Sequence, residues 1–236
     1  MQNLIEINDI HHRVHASFSI HIDQLFFQDG PIYAIAGDNR AGKSALLRVL
    51  ALLDTVDEGR ITLFNTEARN SRQRTALRRR IGFLSQHPAL FRGTVRENIG
   101  LGLRYRSVDP EESVIRIRRL LKNFAMEKYA DMPVSQLSAG QYQLTALLRS
   151  LAPYPEILLL DEPTRQLDQD TYNAVVDHLK MLNDERAVMV ILATKSRDVI
   201  QRLANITINM RDGKVVRILT GEHQKKVGNG KGLRVS

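Results

Sequence analysis

The sequence predicts an α/β protein: a core with a mixed sheet, an antiparallel β layer ahead of it, and a helical subdomain inserted in the core. Three observations predict this. Apolar runs of four to six residues recur between helix-length segments, as buried strands and covering helices do (32–36, 81–85, 157–160, 188–193). Residues 4–7 and 16–22 instead alternate apolar and polar positions, the pattern of half-buried strands. Helical patterning dominates the long interval between the second and third apolar runs.

The elements follow in order. Leu4-Ile5-Glu6-Ile7 and the 16–22 segment form the antiparallel layer. Four of the seven histidines, His11, His12, His15 and His21, fall in it. They read as the solvated or partner-facing side of that layer, with a metal site as the alternative. Asp29-Gly30-Pro31 turns the chain into the apolar strand Ile32–Ala36. Gly37-Asp38-Asn39-Arg40-Ala41-Gly42-Lys43-Ser44 then fits G-x-x-x-x-G-K-[ST], and the helix-forming run Ala45–Leu53 follows. Strand, glycine-rich turn and helix start come in the order a phosphate loop requires, so the core is predicted to be that of a P-loop NTPase. Successive backbone N–H groups in such a turn form a nest for anionic oxygens. The helix start adds unpaired donors and the positive end of its dipole. Gly37 to Ala45 are thus the predicted nucleotide-binding stretch. Lys43 reaches the β- and γ-phosphates, and the Ser44 hydroxyl is a ligand for Mg²⁺.

Asp57–Arg60 is a turn and Ile61–Phe64 a short strand. Residues 69–80 carry six arginines, read as a solvated helix face or as a contact for lipid head groups or nucleic acid. Ile81–Ser85 is a strand ending at Gln86-His87-Pro88. Residues 94–108 and 111–130 are predicted helices, the second with Val114, Ile117, Leu120, Leu121 and Phe124 as a core-facing stripe. Ser138 precedes a helix at 141–151 that stops before Pro153 and Pro155. Ile157–Leu160 is a buried strand leading into Asp161-Glu162-Pro163. A helix at 168–183, the strand Val188–Ala193, a helix at 196–204 and a hairpin turning at Asp212-Gly213 complete the core. The glycine- and lysine-rich stretch 221–236 is predicted to be a flexible basic tail beyond a single domain, residues 1–220.

Composition limits the function classes. The 236 residues include no cysteine, which removes disulfides and cysteine–zinc sites. No apolar run approaches the ~20 residues that cross a bilayer. The N-terminal residues 1–6 lack the pattern of a signal peptide. The net charge of +8 invites a nucleic-acid or anionic-membrane partner, yet no RRM, KH or zinc-finger pattern accompanies it.

A phosphate loop alone leaves kinases, GTPases and ATPases open; three later features narrow the choice. Asp161 ends a buried strand, where a carboxylate can hold Mg²⁺, and Glu162 beside it can polarise an attacking water. Leu137-Ser138-Ala139-Gly140-Gln141 lies between the loop and that strand, and Gln86 sits at a strand tip before the helical stretch. Together these resemble the nucleotide-binding subunit of an ATP-binding cassette (ABC) transporter, over about residues 4–219. Leu137–Gln141 is similar to the family signature, residues 158–164 match its Walker B segment, Leu167-Asp168 resembles the end of its D-loop, and Gln86 stands at its Q-loop glutamine.

The resemblance implies several things. ATP and Mg²⁺ are the cofactors, with Ser44, Gln86 and Asp161 toward the metal and Glu162, Gln86 and Lys195 in catalysis. Two chains, or one chain and a paralogous cassette, close head to tail, with Ser138, Gly140 and Gln141 of one gripping the γ-phosphate on the other. The helical subdomain, about 87–152, receives a helix of an integral membrane permease, and the protein works at the cytoplasmic face of the membrane without nucleic acid. Residues 88–99 resemble importers of oxyanions such as tungstate or phosphate. The sequence also departs from the family. Lys195 stands where a histidine is usual, Arg40 replaces a loop glycine, Arg165-Gln166 replaces small residues, and no Tyr or Phe lies near position 14, where the adenine-stacking ring is expected and His15 offers only a weaker stack. Two other readings remain beside the importer subunit: a catalytically weakened regulatory cassette, and a soluble ABC ATPase acting on nucleic acid.

Overall fold

A computed structural model describes residues 3–186 and 188–221; the predicted tail lies outside the described residues from 222 onward. The chain forms two sheets. In the first, β1 (Asn3–His15) pairs antiparallel with β2 (Phe18–Gln28) and with β4 (Glu58–Leu63), which continues to the short β5 (Thr66–Glu67). The sequence expectation for β1 and β2 was too short. The alternation persists, with Ile5, Ile7 and Ile10 on one strand and Ile20, Ile22, Leu25 and Phe27 on the other all buried. A register shift between Arg13 and His15 then turns the chain.

The second sheet has the order β10-β9-β3-β8-β7-β6. Four strands, β3 (Tyr33–Ala36), β6 (Ile81–Leu84), β7 (Ile157–Asp161) and β8 (Met189–Ala193), run parallel, as does β9 (Ile206–Arg211) beside β3. β10 (Lys214–Thr220) is antiparallel to β9, so the sheet is mixed, as the sequence predicts. The central strands read as unbroken apolar runs because both faces are covered. Alternate residues enter two cores. Ala34, Leu158, Leu160, Val190 and Leu192 face one, with the helices packed on it. Tyr33, Ile35, Leu159, Met189 and Ile191 face the other, shared with the antiparallel layer and α1 (Lys43–Leu50).

Between β6 and β7 lie α3 (Val95–Tyr105), α4 (Pro110–Asn123), two 3-10 turns at 127–129 and 134–136, and α5 (Ala139–Leu151). The helix expected over 111–130 ends early: Ala125 takes φ 51°, which closes α4 and starts the turns. Its stripe is also shorter than predicted. Ile117, Leu120, Leu121 and Phe124 are buried, but Val114 is 48% exposed because the helix meets the core only from Ile117 onward. α2 (Ser71–Arg78) precedes β6, α6 (Gln169–Arg186) follows β7, and α7 (Arg197–Leu203) joins β8 to β9.

Most of the arginines in 69–80 have partners within the chain. Arg74 donates to the carbonyls of Leu52 and Asp54, Arg80 pairs with Glu156 beneath the ring of Phe64, and Arg69 pairs with Glu67. The histidines of the antiparallel layer do the same: His12 is buried near Asp54, and His21 pairs with Asp23 at 2.9 Å. No group of three metal-ligating side chains occurs among the described residues.

Candidate nucleotide site

The parallel strands deliver their carboxyl ends to one edge of the sheet, where crevices form. β3 ends in the 37–44 loop. Gly37 has φ 150°, and a Cβ there would stand 2.4 Å from the carbonyl oxygen of Met210, so only glycine fits. Gly42 has φ 105° and directly precedes α1. Arg40 adopts φ 66°, a left-handed conformation that disfavours a residue bearing a Cβ. Lys43 is nearly buried and its Nζ donates to the carbonyls of Gly37 (2.8 Å) and Asp38 (2.9 Å), closing the loop on itself.

β7 ends at Asp161, which is 3% exposed. Burial raises its carboxyl above the ordinary carboxylate range and Glu162 adds to the rise, against a hydrogen bond from Ser44 and the charges of Lys43 and His87. Glu162 follows with φ 49° and its N–H donates to the carbonyl of Ala193. Its carboxylate is held twice: Oε2 accepts from Thr194 Oγ1 at 2.9 Å and Oε1 accepts from the Lys195 N–H at 3.1 Å. Thr194 is fully buried at the end of β8, and its hydroxyl also accepts from the Ser196 N–H, so its proton points to Glu162. β6 leads to Gln86 and His87, and both ring nitrogens of His87 lie 3.4–3.5 Å from one guanidinium nitrogen of Arg165.

These groups surround one cavity of about 1300 Å³. Of the residues predicted for the site, Asn39, Arg40, Ala41, Gly42, Lys43, Ser44 and Ala45 line it on the loop side. Gln86, Asp161, Glu162 and Lys195 line it from beyond the ends of the neighbouring strands, with Asp161 in hydrogen-bond contact with Ser44. Gly37 and Asp38 begin the loop and hold Lys43. Ser138, Gly140 and Gln141 are not in the cavity. They form the start of α5, where Ser138 Oγ accepts from the Gln141 N–H and Gln141 Oε1 accepts from the Ser138 N–H. A Cβ on Gly140 would lie 2.8 Å from the carbonyl oxygen of Gln166, so the glycine lets α5 approach the segment before α6. Asp168 caps α6, accepting from the Thr171 N–H and hydroxyl.

Sequence reasoning reached His15 but missed Phe18. It sought a ring near position 14, and the β1–β2 turn sets His15 opposite Phe18, with their rings 5.7 Å apart, so that both line the cavity. The signal was the strand pairing across the turn, not the position along β1. His87, Thr164, Arg165, Tyr172 and Ser196 also line the cavity and carried no role in the sequence reading. The hydroxyl, amide and carboxylate of Ser44, Gln86 and Asp161 are hard oxygen donors, which suit Mg²⁺.

A parallel sheet carrying a phosphate loop that faces an Asp-Glu pair and a glutamine defines a nucleotide-binding P-loop domain. Residues 21–165 match the family described as ABC transporter. The chain is 38% identical over 195 residues to the sulfate/thiosulfate import ATP-binding protein CysA of Synechococcus elongatus, covering 82% of this chain and 56% of that protein. It is 36% identical to the methionine import ATP-binding protein MetN of Legionella pneumophila, covering 81% of this chain and 57% of that protein. Identity to the probable sulfate/thiosulfate import ATP-binding protein CysA of Chlorella vulgaris is 36%, over 81% of that protein. Among solved structures, the dimeric ATP-binding cassette MJ0796 bound to ADP and Pi superposes with a TM-score of 0.81 at 28% identity, covering 92% of this chain and 98% of that one. The chain belongs to the ABC transporter family. It spans little more than half the length of the first two of these relatives.

Proposed function

We propose that the chain is the ATP-binding and hydrolysing subunit of an ABC importer. It closes head to tail on ATP with a second copy, or with a paralogous cassette, and drives solute transport through a separate integral permease at the cytoplasmic face of the membrane. One observation carries this reading: the 37–44 loop, Gln86 and the Asp161-Glu162 pair line a single cavity, in which Ser44 hydrogen-bonds to Asp161. The nest and Lys43 take the phosphate oxygens, and the rings of His15 and Phe18 take the base. Ser44, Gln86 and Asp161 are the residues that would hold Mg²⁺, which when bound neutralises charge on the phosphates. Glu162, aligned by Thr194 and the Lys195 N–H, takes a proton from the water whose oxygen bonds to the γ-phosphorus as the bridge to ADP breaks. Ser138 and the start of α5, which lie outside this cavity, serve the partner's nucleotide.

A smaller groove supports a permease contact. Phe83, Phe91, Tyr105, Arg106 and Arg149 line it, with Phe91 60% and Tyr105 73% exposed. For cargo we propose an oxyanion. The sulfate/thiosulfate import relatives favour that chemistry, while the methionine import relative sets an amino acid against it. Uptake of labelled sulfate, phosphate, tungstate and methionine by vesicles holding the assembled transporter separates them.

Lys43→Ala is expected to lose ATP binding, and Glu162→Gln to keep binding while phosphate release falls at least about a hundredfold. Undiminished ATP affinity in Lys43→Ala overturns the reading. A regulatory cassette with little turnover is favoured by one observation: both oxygens of Glu162 already hold donors. Equal phosphate release by wild type and Glu162→Gln in the assembled complex decides for that alternative.

A further inference from the structure

The cavity is lined by four cations, Arg40, Lys43, Arg165 and Lys195, against two carboxylates. The carboxylates are already engaged, Asp161 by Ser44 and Glu162 by Thr194 and the Lys195 backbone. Lys43 is engaged by two carbonyls and Arg165 lies against His87. The Arg40 guanidinium and the Lys195 ammonium have no hydrogen bond or ion pair with the described residues. Arg40 also holds a left-handed backbone, φ 66°, which glycine adopts more readily. An unpaired cation on a strained backbone in a cavity points to a ligand that pairs with it.

Sheet order fixes where that ligand lies. The rings of His15 and Phe18 mark one end of the cavity, on the antiparallel layer. From the loop after β3, the strand ends run through β8, which leads to Lys195, to β7, which leads to Glu162 and Arg165, and then to β6, which leads to His87. A nucleotide with its base on the rings and its first phosphates on the loop directs its terminal phosphate toward that cationic end.

We propose that Arg40, Arg165 and Lys195 form a seat for the terminal phosphate within one chain, so that the monomer prefers a nucleoside triphosphate to the diphosphate. This rests on the nucleotide reading above and adds selectivity by phosphate number. A charge-assisted hydrogen bond is equivalent to about a tenfold change in affinity, and exposed cations weaken as salt screens them.

The test uses the full chain at a concentration where sedimentation shows monomer. Titrations with a non-hydrolysable ATP analogue and with ADP are run with Mg²⁺ at low and high salt. A triphosphate preference of about tenfold or more is expected at low salt, shrinking as salt rises. Arg40→Gly, which suits the backbone, and Lys195→Ala are each expected to cut the ratio of the two affinities severalfold. The double variant is expected to bring it near one. Equal affinities in the wild type, or a ratio unchanged in both variants, overturn the seat while leaving nucleotide binding intact. Absence of any nucleotide binding by folded wild type defeats the nucleotide reading itself.

Discussion

Asp161 sits in β7 with almost no solvent contact, and its carboxyl is raised by burial more than its neighbours lower it. Because the folded pKa exceeds the unfolded one, the folded chain binds more protons in the window between them. Stability therefore falls as pH rises from the ordinary carboxylate pKa through the raised value. Asp161→Asn is expected to remove that slope, and to be the more stable protein at neutral pH by roughly 1.4 kcal/mol for each pH unit between the two pKa values. Denaturation midpoints across the acid range, measured for both proteins, check this; parallel curves would assign the slope to another group. Thr194 gives a second prediction at the same scale. Thr194→Val removes the hydroxyl that aligns Glu162, so kcat is expected to fall about tenfold or more while KM holds, with Thr194→Ser restoring most of the rate. A loss confined to KM would mean that Thr194 serves binding and not alignment. At this scale the sequence disclosed residue types and hid their conformations. Gly37 and Lys43 were legible because the motif states what the loop must do. The left-handed backbone of Arg40 was not, since the same spacing fits either sign of φ. Nor was the role of Phe18, which depends on a cross-strand partner.

Among the elements, the segment joining Gln86 to α3 shows how the helical group is tied to the site. Asn98 on α3 is 2% exposed, accepts from the Phe91 N–H, and donates to the carbonyls of Phe91 and Thr94. From α5, Tyr142 accepts from the Leu90 N–H and Arg149 donates to the carbonyl of Ala89. Two helices thus hold the chain a few residues past Gln86 and tie the helical group to the wall of the cavity. Asn98→Ala breaks three bonds to buried or half-buried backbone and is expected to destabilise the chain by about 2–3 kcal/mol. Exchange at the Phe91 amide is expected to quicken before global unfolding. Unchanged protection at that amide would show that the segment is held without Asn98. The two-residue β5 and the 3-10 turns were not legible, whereas the main helices and strands were, because β3, β6, β8 and all but the last residue of β7 are unbroken apolar runs and helices carry capping residues such as Thr94 with Glu97. Element ends were less so. α4 stops at a left-handed Ala125 that no glycine announces, and β1 runs past its predicted end through histidines and an arginine.

For the whole molecule, charge has two effects of opposite sign. The chain carries +8, and its cavity is lined by four cations against two carboxylates. Nucleotide binding joins opposite charges and weakens as salt screens them, over a Debye length of about 10 Å at 0.1 M. The proposed head-to-tail closure would join two chains of like net charge and be opposed by their repulsion, which the same salt relieves. Each bound nucleotide would also remove part of that repulsion, so the proposed closure links association to binding through charge as well as through the proposed contact of Ser138 and the start of α5. The Glu162→Gln chain, expected to retain ATP, isolates the association step. Its dimerisation constant, measured by sedimentation at saturating ATP and Mg²⁺, is expected to tighten severalfold between about 50 and 300 mM salt. Over the same interval ATP affinity at monomer concentrations is expected to weaken. If dimerisation also weakened with salt, attraction between particular charged groups would outweigh the repulsion between the two basic chains, and the pairing surface would have to carry opposite charges in register.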